Sequence, residues 1–162
     1  FGMFAGIYHW FPLLFGRFMI ETLGRMHFWG TLIGAYAIFG PMHYLGMAGV
    51  PRRYYRFDTF EAFGAFVEMN QFITVAAIVT FAFQIIFVIN FFYSMYKGKK
   101  QTNMNPWQAT TLEWTAPVNA GHGNWEGEIP HVHRWPYDLG RHGRDFIPQT
   151  EPLAEGEVDG GH

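Results

Sequence analysis

Two long stretches of the chain carry no charge. Residues 26–51 and 69–96 contain no Asp, Glu, Lys or Arg, and each exceeds the roughly 20 residues with which an α-helix crosses a hydrocarbon core. The first predicts a helix from about His27 to Met47, reaching residue 50 with its turn. The second predicts a helix over 59–96, where Asp58 and Thr59 offer N-cap oxygens and Glu61 and Glu68 sit in the wet headgroup region. Only Asn70, Gln71, Gln84 and Asn90 interrupt the apolar character of residues 69–96 with strongly polar side chains. Residues 1–15 (FGMFAGIYHWFPLLF) are equally apolar but contain Pro12 and are too short to span comfortably. They read as the second half of a membrane helix. A secretory signal fits poorly, since no basic segment precedes the run and no small-residue cleavage site follows it. The expected architecture is an all-α membrane protein, a transmembrane bundle segment of a half helix plus two full spans. Residues 16–26 and 51–58 are its loops, and 97–162 form an irregular tail.

Charge and composition sharpen this picture. Charged residues make up 15% of the chain and aromatic ones 20%, against about 25% charged in ordinary soluble domains. The polar residues are unevenly spread. Residues 1–96 hold five basic and four acidic side chains, whereas the shorter stretch 97–162 holds six and nine. A net charge of −2 without a basic stripe argues against nucleic-acid binding. The lack of cysteine removes disulfides, thiolate metal sites and cysteine nucleophiles. Arg17, Arg25, Lys97, Lys99 and Lys100 fall on one side of the expected bundle and Arg52, Arg53 and Arg56 on the other, so the positive-inside rule places the tail in the cytoplasm. Tyr8, Trp10, Trp29, Tyr44, Tyr54, Tyr55, Tyr93 and Tyr96 gather toward the ends of the runs, as interfacial aromatics do.

Three arginines on the disfavoured side call for a reason. Pro51, Arg52 and Arg53 follow directly on a predicted span, and two guanidiniums stiffened by a proline form rigid donor forks suited to carboxylates or phosphates. The pattern alone favours the plainer reading, a lipid-headgroup anchor. His27 and His43 lie within the same predicted helix and could ligate a metal or relay a proton. The favoured alternative is a neutral imidazole resting on a backbone carbonyl freed by Pro41. His9, beside Trp10, is expected at the interface. In the tail, His131 and His133 would share a metal only on a strand. Between Pro130 and Pro136 a solvated loop is the better expectation for them, and His122 and His142 join it. No catalytic serine elbow, zinc-protease motif, phosphate loop or dinucleotide fingerprint occurs.

The stretch His43 to Tyr55, HYLGMAGVPRRYY, resembles subunit I of haem–copper terminal oxidases, in the cytochrome c oxidase branch and of bacterial type. FAGIYHWFP at 4–12, MHFW at 26–29, TTLEWTAP at 110–117, GHGN at 121–124 and GRDFIPQ at 143–149 extend the likeness over nearly the whole chain. The resemblance implies the end of the tenth transmembrane helix followed by the eleventh and twelfth, from the C-terminal part of a much longer subunit. It implies a proton-pumping enzyme that reduces O2 to water with electrons from cytochrome c. Low-spin and high-spin haem, of the haem A type, and copper would be its cofactors, with the axial and copper ligands outside this chain. Arg52 and Arg53 match the two arginines that contact the propionates of the low-spin and high-spin haems, and Phe39 and Met42 would wall the low-spin haem. Neither His9, His27 nor His43 is implied to be a metal ligand. Implied partners are the rest of subunit I, subunits II and III, cytochrome c and the lipid bilayer, in a bacterial inner membrane. Phe63 and Gly64 stand where the family often has Trp and Asn. The composition also fits a cofactor-free accessory membrane protein or a transporter segment.

Overall fold

The computed structural model describes residues 1–57, 61–118, 122–125, 127–141 and 144–156, with the backbone alone at 139–141 and 144–146. Three helices dominate: α1 (Gly2–Phe15), α2 (Glu21–Met47) and α3 (Val67–Lys97), the last preceded by a 3₁₀ stretch over Glu61–Phe66. The expected caps Asp58 and Thr59 lie outside the described residues. Two compact units divide the chain, one of residues 20–93 and one of residues 1–19 with 94–162.

In the unit 20–93, α2 and α3 run antiparallel. Ile20 meets Asn90, His27 and Thr31 meet Gln84, and Gly34 faces Thr80, so positions rise along one helix as they fall along the other. Glycines set the closeness of this approach. A Cβ on Gly30 would stand 2.2 Å from the Phe83 ring, and one on Gly34 would stand 2.0 Å from Thr80 Oγ1. The polar side chains between the helices are paired. His27, 3% exposed, lies with Nε2 3.1 Å from Gln84 Oε1, and Gln84 Nε2 donates to Thr31 Oγ1 at 2.8 Å. Pairing of this kind holds helices together where water cannot compete.

Helix α2 begins six residues before the expected His27, and the loop expected over 16–26 is correspondingly short. Asn90, fully buried, accepts from the Ile20 N–H and donates to the Ile20 carbonyl, both at 3.0 Å. The side chain thus occupies the orphan donor at the helix start that a local cap would otherwise take. Glu21 and Arg25 form an exposed i,i+4 pair at 2.5 Å in the first turns, so the charges read as loop signals belong to a helix face.

Among the described residues one helical stretch, Glu61–Lys97, is long and apolar enough to cross a membrane. The second expected span is not matched in the same way. Helix α2 has 27 residues, but Gly24, Gly30, Gly34, Gly40 and Gly46 dilute its apolar side chains.

In the other unit, α1 carries Pro12 in its interior and ends at Gly16, whose φ of 64° is the left-handed helix stop. The next residues pair with the segment after α3. Phe18 N–H donates to the Lys99 carbonyl and Gln101 N–H to the Gly16 carbonyl, each at 2.9 Å. Gly98 is required there, because a Cβ would stand 2.5 Å from both the Phe18 and the Ser94 carbonyl oxygens. The tail is less irregular than expected. It contains a 3₁₀ turn (Leu112–Thr115) and an antiparallel pair of strands, β1 (Leu139–Arg141) and β2 (Arg144–Phe146). A buried centre explains its order. Arg134, 3% exposed, pairs with Asp138 at 3.1 Å and donates to the Glu151 and Pro152 carbonyls. Gln149 donates to the Arg134 carbonyl and ties this centre to the chain at Thr110, Leu112 and His133 through three further bonds to backbone groups.

Candidate functional site

The end of α2 sets the position of the paired arginines. Gly49 takes φ 88°, its N–H donates to the Gly46 carbonyl at 3.1 Å, and the Val50 N–H reaches the Leu45 carbonyl at 3.0 Å. This double closure ends a helix and turns the chain sharply. Pro51 follows, then Arg52 and Arg53. Arg53 has φ 61°, a left-handed conformation costing a residue with a Cβ about 1–2 kcal/mol. Non-glycine residues held in that region cluster at ligand clamps and active sites.

A groove of about 910 Å³ opens beside this turn, within the 300–1,000 Å³ range of small-molecule and cofactor sites. Phe39, Met42, Arg52 and Arg53 all line it. Its other wall comes from α3, through Asn70 and the buried Ile73. Apolar surface covers most of the interior and the two guanidiniums stand at the turn. The donor set suits a large apolar ligand that ends in carboxylates.

His43 also lines the groove. Its Nδ1 lies 2.7 Å from the Phe39 carbonyl oxygen, four residues back. The backbone partner is therefore the Phe39 carbonyl rather than the Ala37 carbonyl that Pro41 frees. His27 is buried away from the groove lining against Gln84. His9 stacks on Trp107 at 6.0 Å and meets the edge of Trp114 at 5.1 Å, so it packs with tail tryptophans. His122, His131 and His133 are exposed, and His142 lies outside the described residues. Among the described residues no three metal-ligating side chains gather at one point. Sequence reasoning missed Asn70 and Ile73 as groove residues. Asn70 stood out as a polar break in an apolar run, but the groove is visible only once α3 lies against the end of α2.

The described residues thus combine a helix long and apolar enough to cross a membrane with an apolar groove beside two arginines. Comparison with known proteins gives the family. Residues 1–79 match the family described as cytochrome c and quinol oxidase polypeptide I. The chain is 45% identical, over 96% of its length, to the alternative cytochrome c oxidase subunit 1 of Bradyrhizobium diazoefficiens. It is 44% and 46% identical, over 86% of its length, to cytochrome c oxidase subunit 1 of Synechocystis and of Thermostichus vulcanus. The chain belongs to this oxidase subunit I family. It spans about a quarter of the length of these relatives, 27% of the first and 24% of the other two.

Proposed function

We propose that this chain forms part of the catalytic subunit of a proton-pumping terminal oxidase, which reduces O2 to water with electrons from cytochrome c, and that its groove receives the low-spin haem. The observation that carries this reading is the convergence of Phe39, Met42, Arg52 and Arg53 on one groove. Haem, when bound, supplies the electron relay. Arg52 and Arg53 hold its carboxylate arms by charge-assisted bonds, which are about twice as strong as neutral ones. Their fixed positive charge disfavours the oxidised, more positive iron and so raises the reduction potential. Phe39 and Met42 keep water from the ring face. Both haems, of the haem A type, and copper would take their ligands from the rest of subunit I, with subunits II and III beside it.

The antiparallel arrangement of α2 and α3 supports two spans. If α3 crosses the bilayer, its partner over the same length crosses with it, and the arginine turn and the start of α2 lie on opposite sides. The cation count then puts the tail in the cytoplasm of a bacterial inner membrane.

A reduced-minus-oxidised spectrum of the purified assembly tests the reading. Haem bands support it, and their absence refutes it. The competing account, a cofactor-free accessory subunit anchored to lipid headgroups, draws on the exposure of Arg52 and Arg53. It predicts that lysine at both positions leaves activity unchanged.

A further inference from the structure

Four amide side chains interrupt the apolar run of α3, and three have an evident place. Gln84 links to His27 and Thr31. Asn90 closes on both backbone groups of Ile20, and Gln71 is exposed. Asn70 differs from these. It is half-buried, its side chain makes no hydrogen bond among the described residues, and it lines the groove shared with Arg52 and Arg53. Ile73, three residues on, lines the groove and is 6% exposed, which fixes this face of α3 toward it.

A ligand that fills the groove strips water from the amide. An apolar ligand surface there would leave both its donor and its acceptor unmade, an unfavourable outcome in a water-poor site. A carboxylate arm accepts up to about four hydrogen bonds, so two guanidiniums leave room for a neutral donor from the opposite wall.

Resting on the haem reading above, we propose that Asn70 is a further cofactor-binding residue, its amide donating to the carboxylate arm that Arg52 and Arg53 hold. The site then clasps its ligand from two elements, the turn after α2 and the first α-helical turn of α3. Neutral donation trims the negative charge felt by the iron, so Asn70 contributes to the potential in the same direction as the arginines.

The test is spectroelectrochemical titration of the low-spin haem in the intact purified oxidase, comparing Asn70→Asp, Asn70→Leu and Asn70→Gln with the unaltered complex. Asn70→Asp adds a carboxylate and lowers the midpoint potential most. Asn70→Leu lowers it less, and Asn70→Gln stays closest to the unaltered value. If Asn70→Asp fails to assemble, the difference between the Leu and Gln variants decides. Haem present with all variants at the unaltered potential overturns the assignment of Asn70 alone. Haem absent from the unaltered complex overturns the underlying reading and this assignment with it.

Discussion

Asn90 and Ile20 exchange two hydrogen bonds of 3.0 Å across 70 residues of sequence, so a side chain on α3 supplies the start of α2. The Ile20 carbonyl also accepts from the Gly24 N–H. Replacing Asn90 by Ala removes both of its bonds to Ile20, at a net cost of about 0.5–1.5 kcal/mol for each bond lost. The expected outcome is a lower thermal inactivation temperature of the complex and faster amide exchange at Ile20. Unchanged exchange there would show that the pair is not needed.

The contact between His27 and Gln84 gives a second expectation. Interhelical pairs in membranes couple by about 0.6 kcal/mol on average, and at most about 1.7. A double-mutant cycle of His27→Leu and Gln84→Leu, read by thermal inactivation, is expected to return a coupling in that range. Strict additivity would separate the two residues energetically.

Glycine spacing provides a sharper contrast. Gly34→Ala drives a Cβ into Thr80, where 2.0 Å separates it from Oγ1, whereas Gly40 has nothing within 4 Å of a new Cβ. Overpacking costs about 1–3 kcal/mol. Gly34→Ala should lower the yield and thermal stability of the assembled complex, and Gly40→Ala should not. Equal effects would place the helices further apart than the structure has them.

The tail centre is the fourth case. Arg134 and Asp138 have side chains only 2% exposed, and removing one partner of such a pair costs about 3–5 kcal/mol. Asp138→Ala is expected to open the tail to limited proteolysis between Thr110 and Glu151. A cleavage pattern identical to that of the unaltered protein would rule out this centre as the source of the tail's order.

Uncharged runs made the helices legible, because membrane-compatible segments are marked by what they lack. Their limits were not legible. The start of α2 depends on Asn90, and the Glu21–Arg25 pair looks like a loop until both residues share a helix face. The tail hairpin escaped notice because strands of three residues carry too little alternation to detect. The paired arginines could be singled out by composition and by position on the disfavoured side. Their companions on α3 could not, since Asn70 acquires its meaning only from the antiparallel packing that brings it to the groove. Arg53's positive φ is likewise invisible in a sequence, for nothing in its neighbours demands it.

The central claim is that Arg52 and Arg53 hold the carboxylate arms of a haem. It is tested most directly by the midpoint potential of the low-spin haem in purified complexes carrying Arg52→Lys or Arg53→Gln. Losing a guanidinium fork removes positive charge or bidentate contact and favours the oxidised iron. A tenfold change in that equilibrium corresponds to about 59 mV for one electron, and a downward shift on the order of this size is expected, with haem still bound. Potentials and turnover unchanged in both variants would contradict the account and leave the arginines as lipid anchors.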